Sequence, residues 1–367
     1  MVSRRQFILT GASASGAVLV TGACSRGAGE DAYQAAAREM RRPLAGGMAG
    51  SAQLGRELVR YATLAPSSHN TQCWKFRLGD QAIDVLPDFA RRCPAVDPDD
   101  HHLYVSLGCA TENLVQAALA RGLHAEAHLD AAGDVIRVVL TPTKSVASPL
   151  FEAIAIRQCT RAEYDGTALS NVELKSLEQA GTGNGVRLVL LTEKPAMESV
   201  LDYVVQGNTA QLNDRAFVAE LKQWIRFNHH EALRSGDGLF SGATGNPAVP
   251  RWLGSLLFGM LLTPKGENDK YVRQVRSSAG IAVFVSEAND KTHWIETGRC
   301  YQRFALQAEA MGVRNAMLNQ PVEVAALRPQ FAGFLGIGER RPDLVVRFGR
   351  GPALPWSLRR PVDAVLV

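Results

Sequence analysis

The sequence predicts an α+β chain built from two comparable halves, and three observations lead there. Short apolar, β-branched runs alternate with helical patterns along most of the length. One segment recurs at an offset of 190 positions: Gly108 matches Gly298, Leu114 matches Phe304, Ala118 matches Ala308, Ala120 matches Ala310 and Gly122 matches Gly312. The chain has 367 residues, 46% hydrophobic and 21% charged, which is enough for one large core or two ordinary ones.

Each copy of the repeat, 104–123 and 294–313, reads as a long Ala-rich helix ended by a glycine. Small residues on such helices let two of them approach closely. Strands are expected at 76–78, 83–86, 135–140, 186–191, 281–285 and 344–348, where apolar residues cluster between turn signals. Helical patterns cover 54–64, 150–157, 171–180 and 197–224. The two halves are then 51–148 and 149–367, each with a central sheet. Residues 25–50, rich in Gly, Ala and Arg, read as a tether.

With 40 basic and 36 acidic residues, the formal charge of +4 is too balanced to argue for nucleic acid as a partner. Cys73, Cys93, Cys109, Cys159 and Cys300 form no Cys-x-x-Cys pair and fit no zinc spacing, so no metal site is expected. Cys109 and Cys300 lie in apolar helical stretches and read as core residues.

The first 24 residues read as a targeting signal. Arg4 and Arg5 precede a short apolar stretch, Phe7 to Val20, broken by Gly11 and Gly16 and too weak for a membrane span. The Arg-Arg-x-Phe-Ile pattern resembles a twin-arginine (Tat) signal, which implies export of an already folded protein to the periplasm or the outer face of a membrane. Thr21-Gly22-Ala23-Cys24 resembles a lipobox, but Thr21 stands where a branched aliphatic residue is usual. A lipid anchor at Cys24 therefore stays open.

Two internal segments carry the chemistry. Ala65-Pro66-Ser67-Ser68-His69-Asn70-Thr71-Gln72-Cys73-Trp74 packs hydroxyls, an imidazole and two carboxamides into one loop. It suits either a solvated turn or a grip on a flat, hydrogen-bonding heterocycle. Ser68 and His69 are adjacent, but no Gly-x-Ser-x-Gly elbow surrounds either serine, which counts against acyl transfer. Arg157-Gln158-Cys159-Thr160-Arg161 places two arginines four apart, fit for a phosphate and a ring edge or merely for a helix C-terminus. Arg359-Arg360 follows the last strand. Residues 236–262 combine a Gly- and Pro-containing loop with the apolar run Trp252 to Leu262, which reads as a lid, a membrane-facing patch or an ordinary buried helix.

On these segments the chain resembles the nitroreductase superfamily, specifically its Acg-like, internally duplicated branch, in which one chain mimics the family dimer. Asp97-Pro98-Asp99-Asp100-His101-His102 adds to that likeness. The resemblance implies FMN bound where the two halves meet. Arg157 and Arg359 would hold its phosphate, and Arg161 would lie near N1 and O2. Ser67, Ser68, Asn70 and Gln72 would bond the ring and ribityl chain, and Asn319 and Gln320 would lie near N5. The sequence departs from the family pattern at Cys73, where proline is usual, and at Gln158-Cys159, where Arg-Ser is usual; Cys159 keeps a weak bonding role. No side chain is required as a catalytic acid or base. The implied activity is reduction of small aromatic nitro or quinone-type acceptors. FMN sequestration or storage without turnover is the alternative, and an exported solute-binding module without flavin is a third reading.

Overall fold

The computed structural model describes residues 29–44, 51–130 and 134–367. The expected signal, 1–24, lies outside the described residues. The expected tether does not: 29–40 form a helix, α1, and Tyr33, Ala37 and, one residue past its end, Arg41 are buried at four-residue spacing. Composition hid this because Gly and Ala dominate the stretch, yet Ala favours helix and this spacing aligns one inward face.

The first half comprises α2 (Ser51–Thr63), β1 (Trp74–Leu78), β2 (Ala82–Pro87), α3 (His101–Ala120), β3 (Leu123–Asp130) and β4 (Val135–Pro142). After α4 (Pro149–Ile154) and α5 (Asn171–Gly181), the second half runs through β5 (Val186–Leu191), α6 (Lys194–Asn213) and α7 (Arg215–Trp224). The minor elements β6 (Ile225–Arg226), α8 (His229–Ser235) and β7 (Leu239–Phe240) follow, then α9 (Arg251–Leu261), α10 (Pro264–Arg276) and β8 (Gly280–Ser286). The half closes with α11 (Lys291–Ala310), β9 (Arg314–Met317), α12 (Gln320–Glu323), α13 (Arg328–Phe334) and β10 (Arg341–Gly349).

The two main sheets match in topology. Their orders are β1-β2-β4-β3 and β5-β8-β10-β9, antiparallel throughout, and in each a 20-residue helix leaves the second strand and feeds the strand at the far edge. These helices, α3 and α11, are the two copies of the sequence repeat. They cross where Gly108 and Gly298 remove any side chain between the backbones.

Burial differs between the sheets. β3 alternates half-buried and exposed positions and so covers a core on one face only. β8 is buried at every position, because Ala282 and Phe284 face the α3/α11 core while Ile281, Val283 and Val285 face a second core under α6 and α13. The expected helix 197–224 is two helices. Asp214 adopts an extended conformation and accepts from Ala216 N, which ends α6 and caps α7. β3 and β9 are additions to the expected strands.

The tail after β10 leaves its own half. It runs back to the first sheet, where Phe76 N donates to Val365 O at 2.8 Å and Val367 N donates to Phe76 O at 3.0 Å. This crossing carries Arg359 to the C-terminal end of α2.

Candidate functional site

The loop after α2 is shaped by backbone geometry. His69, Asn70 and Gln72 have φ of 48°, 53° and 55°, in the left-handed region that costs most residues energy. Tertiary hydrogen bonds hold it there. Asn70 Nδ2 donates to Gly238 O at 3.0 Å and Leu358 O at 3.2 Å, and Gln72 N donates to Ser67 Oγ at 2.9 Å. Gln72 Nε2 donates to Gly236 O at 2.8 Å while its Oε1 accepts from Arg360 N at 2.8 Å.

The loop walls a cavity of about 350 Å³ between the two halves. Ser67, Ser68 and Asn70 line it together with Arg157, Cys159, Arg161, Asn319, Gln320 and Arg359, so segments far apart in sequence meet there. Gln72 does not line it. Its side chain is fully buried, with the amide committed to the Gly236 carbonyl after α8 on one side and the tail on the other, which corrects its expected role as a ligand contact.

Three arginines converge at one end. Arg41, Arg157 and Arg359 all line the cavity, are buried, and make no ion pair with a carboxylate among the described residues. Arg359 donates to the carbonyls of Thr63, Leu64, Ala65, Ser357 and Leu358, and so holds the end of α2 against the tail. Arg157 Nη2 donates to Leu64 O at 3.0 Å, while its Nε and Nη1 are buried without a partner. Burial first, and the neighbouring Arg157 next, push Arg41 down to about 9, and burial with Arg41 and Arg157 pushes Arg359 well below its ordinary value. Cations held together in this way call for an anion.

The other end is richer in titratable groups. His102 Nδ1 lies 3.6 Å from Asp97 Oδ1, and its Nε2 lies 3.4 Å from Asn319 Nδ2. Asn319 Oδ1 accepts from Val345 N at 3.0 Å, which fixes the amide and leaves its NH₂ facing the imidazole. Burial alone would lower His102, but Asp97 more than offsets it and raises the imidazole above its ordinary value. His69 is the reverse case: burial, then Arg161, push it down to about 4. Burial also raises Glu323 and pushes Tyr271 up to about 12, and Tyr271 OH accepts from Gln320 Nε2 at 2.6 Å. Arg161 itself makes no side-chain hydrogen bond or ion pair with another described residue.

Sequence reasoning missed Arg41, His102, Tyr271 and Glu323 as cavity residues. Arg41 carried a usable signal in the Tyr33, Ala37, Arg41 stripe; the other three reach the cavity only through packing.

Residues between α6 and α10 supply an apolar part of the cavity wall. Phe217 and Leu221 of α7, Ile225, Leu239, Ala243 and Leu262 all line the cavity. α9 lies outside this layer and shows Trp252, Leu256 and Met260 to solvent. Of the three readings of 236–262, the structure excludes a fully buried helix.

Relatives match nearly the whole chain. A Mycobacterium tuberculosis protein that carries the name NAD(P)H nitroreductase is 24% identical over 336 residues, covering 86% of this chain and 91% of its own. A second one from the same organism, named as the NAD(P)H nitroreductase Acg, is 20% identical over 323 residues, covering 84% of this chain and 94% of its own. The chain is thus similar, over most of its length, to proteins named as nitroreductases, Acg among them. No family model matches the sequence of this nitroreductase homologue. Solved structures overlap a little over half of it. The nitroreductase with bound FMN from Desulfitobacterium hafniense is 13% identical, covers 59% of this chain and 96% of its own, and has a TM-score of 0.37. The FMN-dependent nitroreductase NfnB from Mycobacterium smegmatis, in complex with NADPH, is 13% identical, covers 55% and 87%, and has a TM-score of 0.36. Overlap that low adds nothing to the geometry above.

Proposed function

We propose that this nitroreductase homologue binds FMN in the cavity between its halves and acts as an oxidoreductase on small nitro or quinone-type acceptors. One observation carries the reading: three buried guanidiniums without a carboxylate partner close one end of a cavity whose walls offer amides and hydroxyls. The residues present fit the cofactor. Buried N–H groups of Arg157 lack any acceptor, as a phosphate oxygen would supply. Ser67, Ser68, Asn319 and Gln320 offer polar groups to a flat ring, and Gln320 Oε1 is buried without a donor. FMN supplies the hydride chemistry when bound. The chain's own part is to orient the ring, to set a positive charge beside it through Arg161, and to exclude water with the apolar layer of α7, Ile225 and Leu239.

That apolar layer favours a second reading, sequestration of FMN without turnover, in which it would close over the flavin. We also propose export of the chain by its twin-arginine segment, on the strength of the sequence pattern. The first test is the visible spectrum of the purified full chain before and after denaturation. Flavin bands released on unfolding as free FMN are expected. A colourless protein that takes up no added FMN would overturn the proposal. Steady oxidation of NADPH in the presence of a nitroaromatic separates an enzyme from a sequestering protein.

A further inference from the structure

Of the two arginines that the resemblance implies at the phosphate end, Arg157 keeps free donors and Arg359 does not. Arg359 has all three of its guanidinium nitrogens engaged with backbone carbonyls. Arg157 keeps Nε and Nη1 buried and unpartnered. Arg41 donates Nη1 to Ala37 O at 3.3 Å and Nη2 to Ser357 O at 3.1 Å, and keeps Nε buried and unpartnered. Arg41 is 8% exposed and Arg157 3% exposed, so solvent does not satisfy these groups readily. No segment outside the described residues can supply the missing acceptor as a carboxylate side chain, since 1–28, 45–50 and 131–133 contain neither Asp nor Glu.

We propose that Arg41, carried by the helix that precedes the first half, is a binding residue for a phosphate monoester: with Arg157 it supplies the donors, while Arg359 supplies charge and scaffold. The proposal rests on the flavin reading for the identity of the ester. It adds that the N-terminal helix is part of the binding site. A phosphate monoester suits three cations better than a carboxylate does, because it brings close to two negative charges and three acceptor oxygens. The helix is held to the same tail that forms the site: Tyr33 OH donates to Trp356 O at 2.6 Å, and the Arg41 guanidinium lies 5.2 Å from the Trp356 ring. Binding of the ester and docking of 29–41 are therefore linked, each stabilising the other.

The test titrates the full chain with FMN, riboflavin and inorganic phosphate, following flavin fluorescence for the first two and the melting temperature for the third. Arg41→Ala should weaken FMN roughly tenfold or more and leave riboflavin unchanged, since only FMN carries the phosphate. Arg41→Lys should recover part of the loss. FMN should also slow proteolysis within 29–44 in the natural chain and not in Arg41→Ala. Arg41→Gln, which keeps most of the stem, replaces the alanine variant if that variant does not fold. Undiminished FMN affinity in Arg41→Ala, alongside a loss in Arg157→Ala, overturns the role of Arg41 and leaves the flavin reading standing. Equal weakening of FMN and riboflavin overturns it too. Should the natural chain bind neither flavin, the flavin reading fails, and phosphate decides: a rise in melting temperature that Arg41→Ala abolishes supports the anion site, and no rise overturns it.

Discussion

Gly108 and Gly298 face one another where α3 crosses α11. A Cβ on Gly108 would lie 2.0 Å from the carbonyl oxygen of Ile295, and one on Gly298 would lie 2.0 Å from that of Val105. The contact is reciprocal: the two glycines and the two carbonyls they meet are the same pair of positions in the two repeat copies, as at an interface between like subunits. Around it, Asn113 Oδ1 accepts from Gln302 Nε2 at 2.6 Å, and Glu112 takes Arg299 and Arg303 at 3.2 and 3.1 Å. Neither glycine has room for a methyl group without parting the helices. Gly108→Ala and Gly298→Ala should each cost about 3 kcal/mol or more in urea unfolding. The double variant should cost less than the sum, because the first substitution already separates the backbones. Additive losses would mean that the two positions do not share one contact.

His69 gives a pH dependence with a definite sign. Its folded-state value of about 4 lies below the ordinary 6.5, so between those limits the unfolded chain binds a proton that the folded one refuses. Its contribution is present in full above pH 6.5 and is lost as the pH falls towards 4. His101, lowered by burial, acts in the same direction. The variant His69→Asn, tolerant of the left-handed φ of 48°, should flatten the fall in urea midpoint between pH 6.5 and 4.5. An unchanged profile would show that His69 does not titrate in this window.

Arg359 is a brace as well as a charge. Lysine keeps the charge but offers three donors from one point and cannot span five carbonyls set on α2 and the tail. Arg359→Lys should therefore lose roughly 2–4 kcal/mol of stability, close to the loss in Arg359→Ala. Full stability in the lysine variant would assign the residue to charge alone.

Thiol labelling tests the position of Cys159. It is half-buried on the cavity wall, whereas Cys73, Cys93, Cys109 and Cys300 are buried. Burial pushes the Cys73 thiol up to about 12 and the other three higher still, which suppresses the reactive thiolate. Iodoacetamide on the native protein, followed by peptide mapping, should modify Cys159 before those four, and added FMN should slow it. Equal labelling of Cys73 would mean that the site loop opens on the timescale of the reaction.

Much of the frame is legible in one dimension. The repeat spacing identified α3 and α11 and implied their close approach, because a glycine in an Ala-rich helix has few other uses. Apolar runs located β2, β5, β8 and β10, whose side chains face covered layers on at least one side. β3 was overlooked because His, Glu and Asp on its open face interrupt the apolar signal, and β9 because it is only four residues long. The segments 65–74 and 157–161 stood out by composition, and they do converge on one cavity.

What composition could not show is which polar groups remain available once the chain has folded. Gln72 and Arg359 look like ligand contacts in the sequence, yet tertiary hydrogen bonds to Gly236, Arg360 and the end of α2 engage them. Arg41 looked like part of a tether, yet it enters the cavity because Tyr33 and Ala37 anchor the preceding helix against α8, β7 and the tail. The sequence by itself determined the doubled helix-and-sheet plan and the segments that carry chemistry and the family resemblance, since these follow from periodicity and residue type. Only the tertiary structure decided which donors face the cavity unpaired, because that depends on backbone groups brought in from distant parts of the chain.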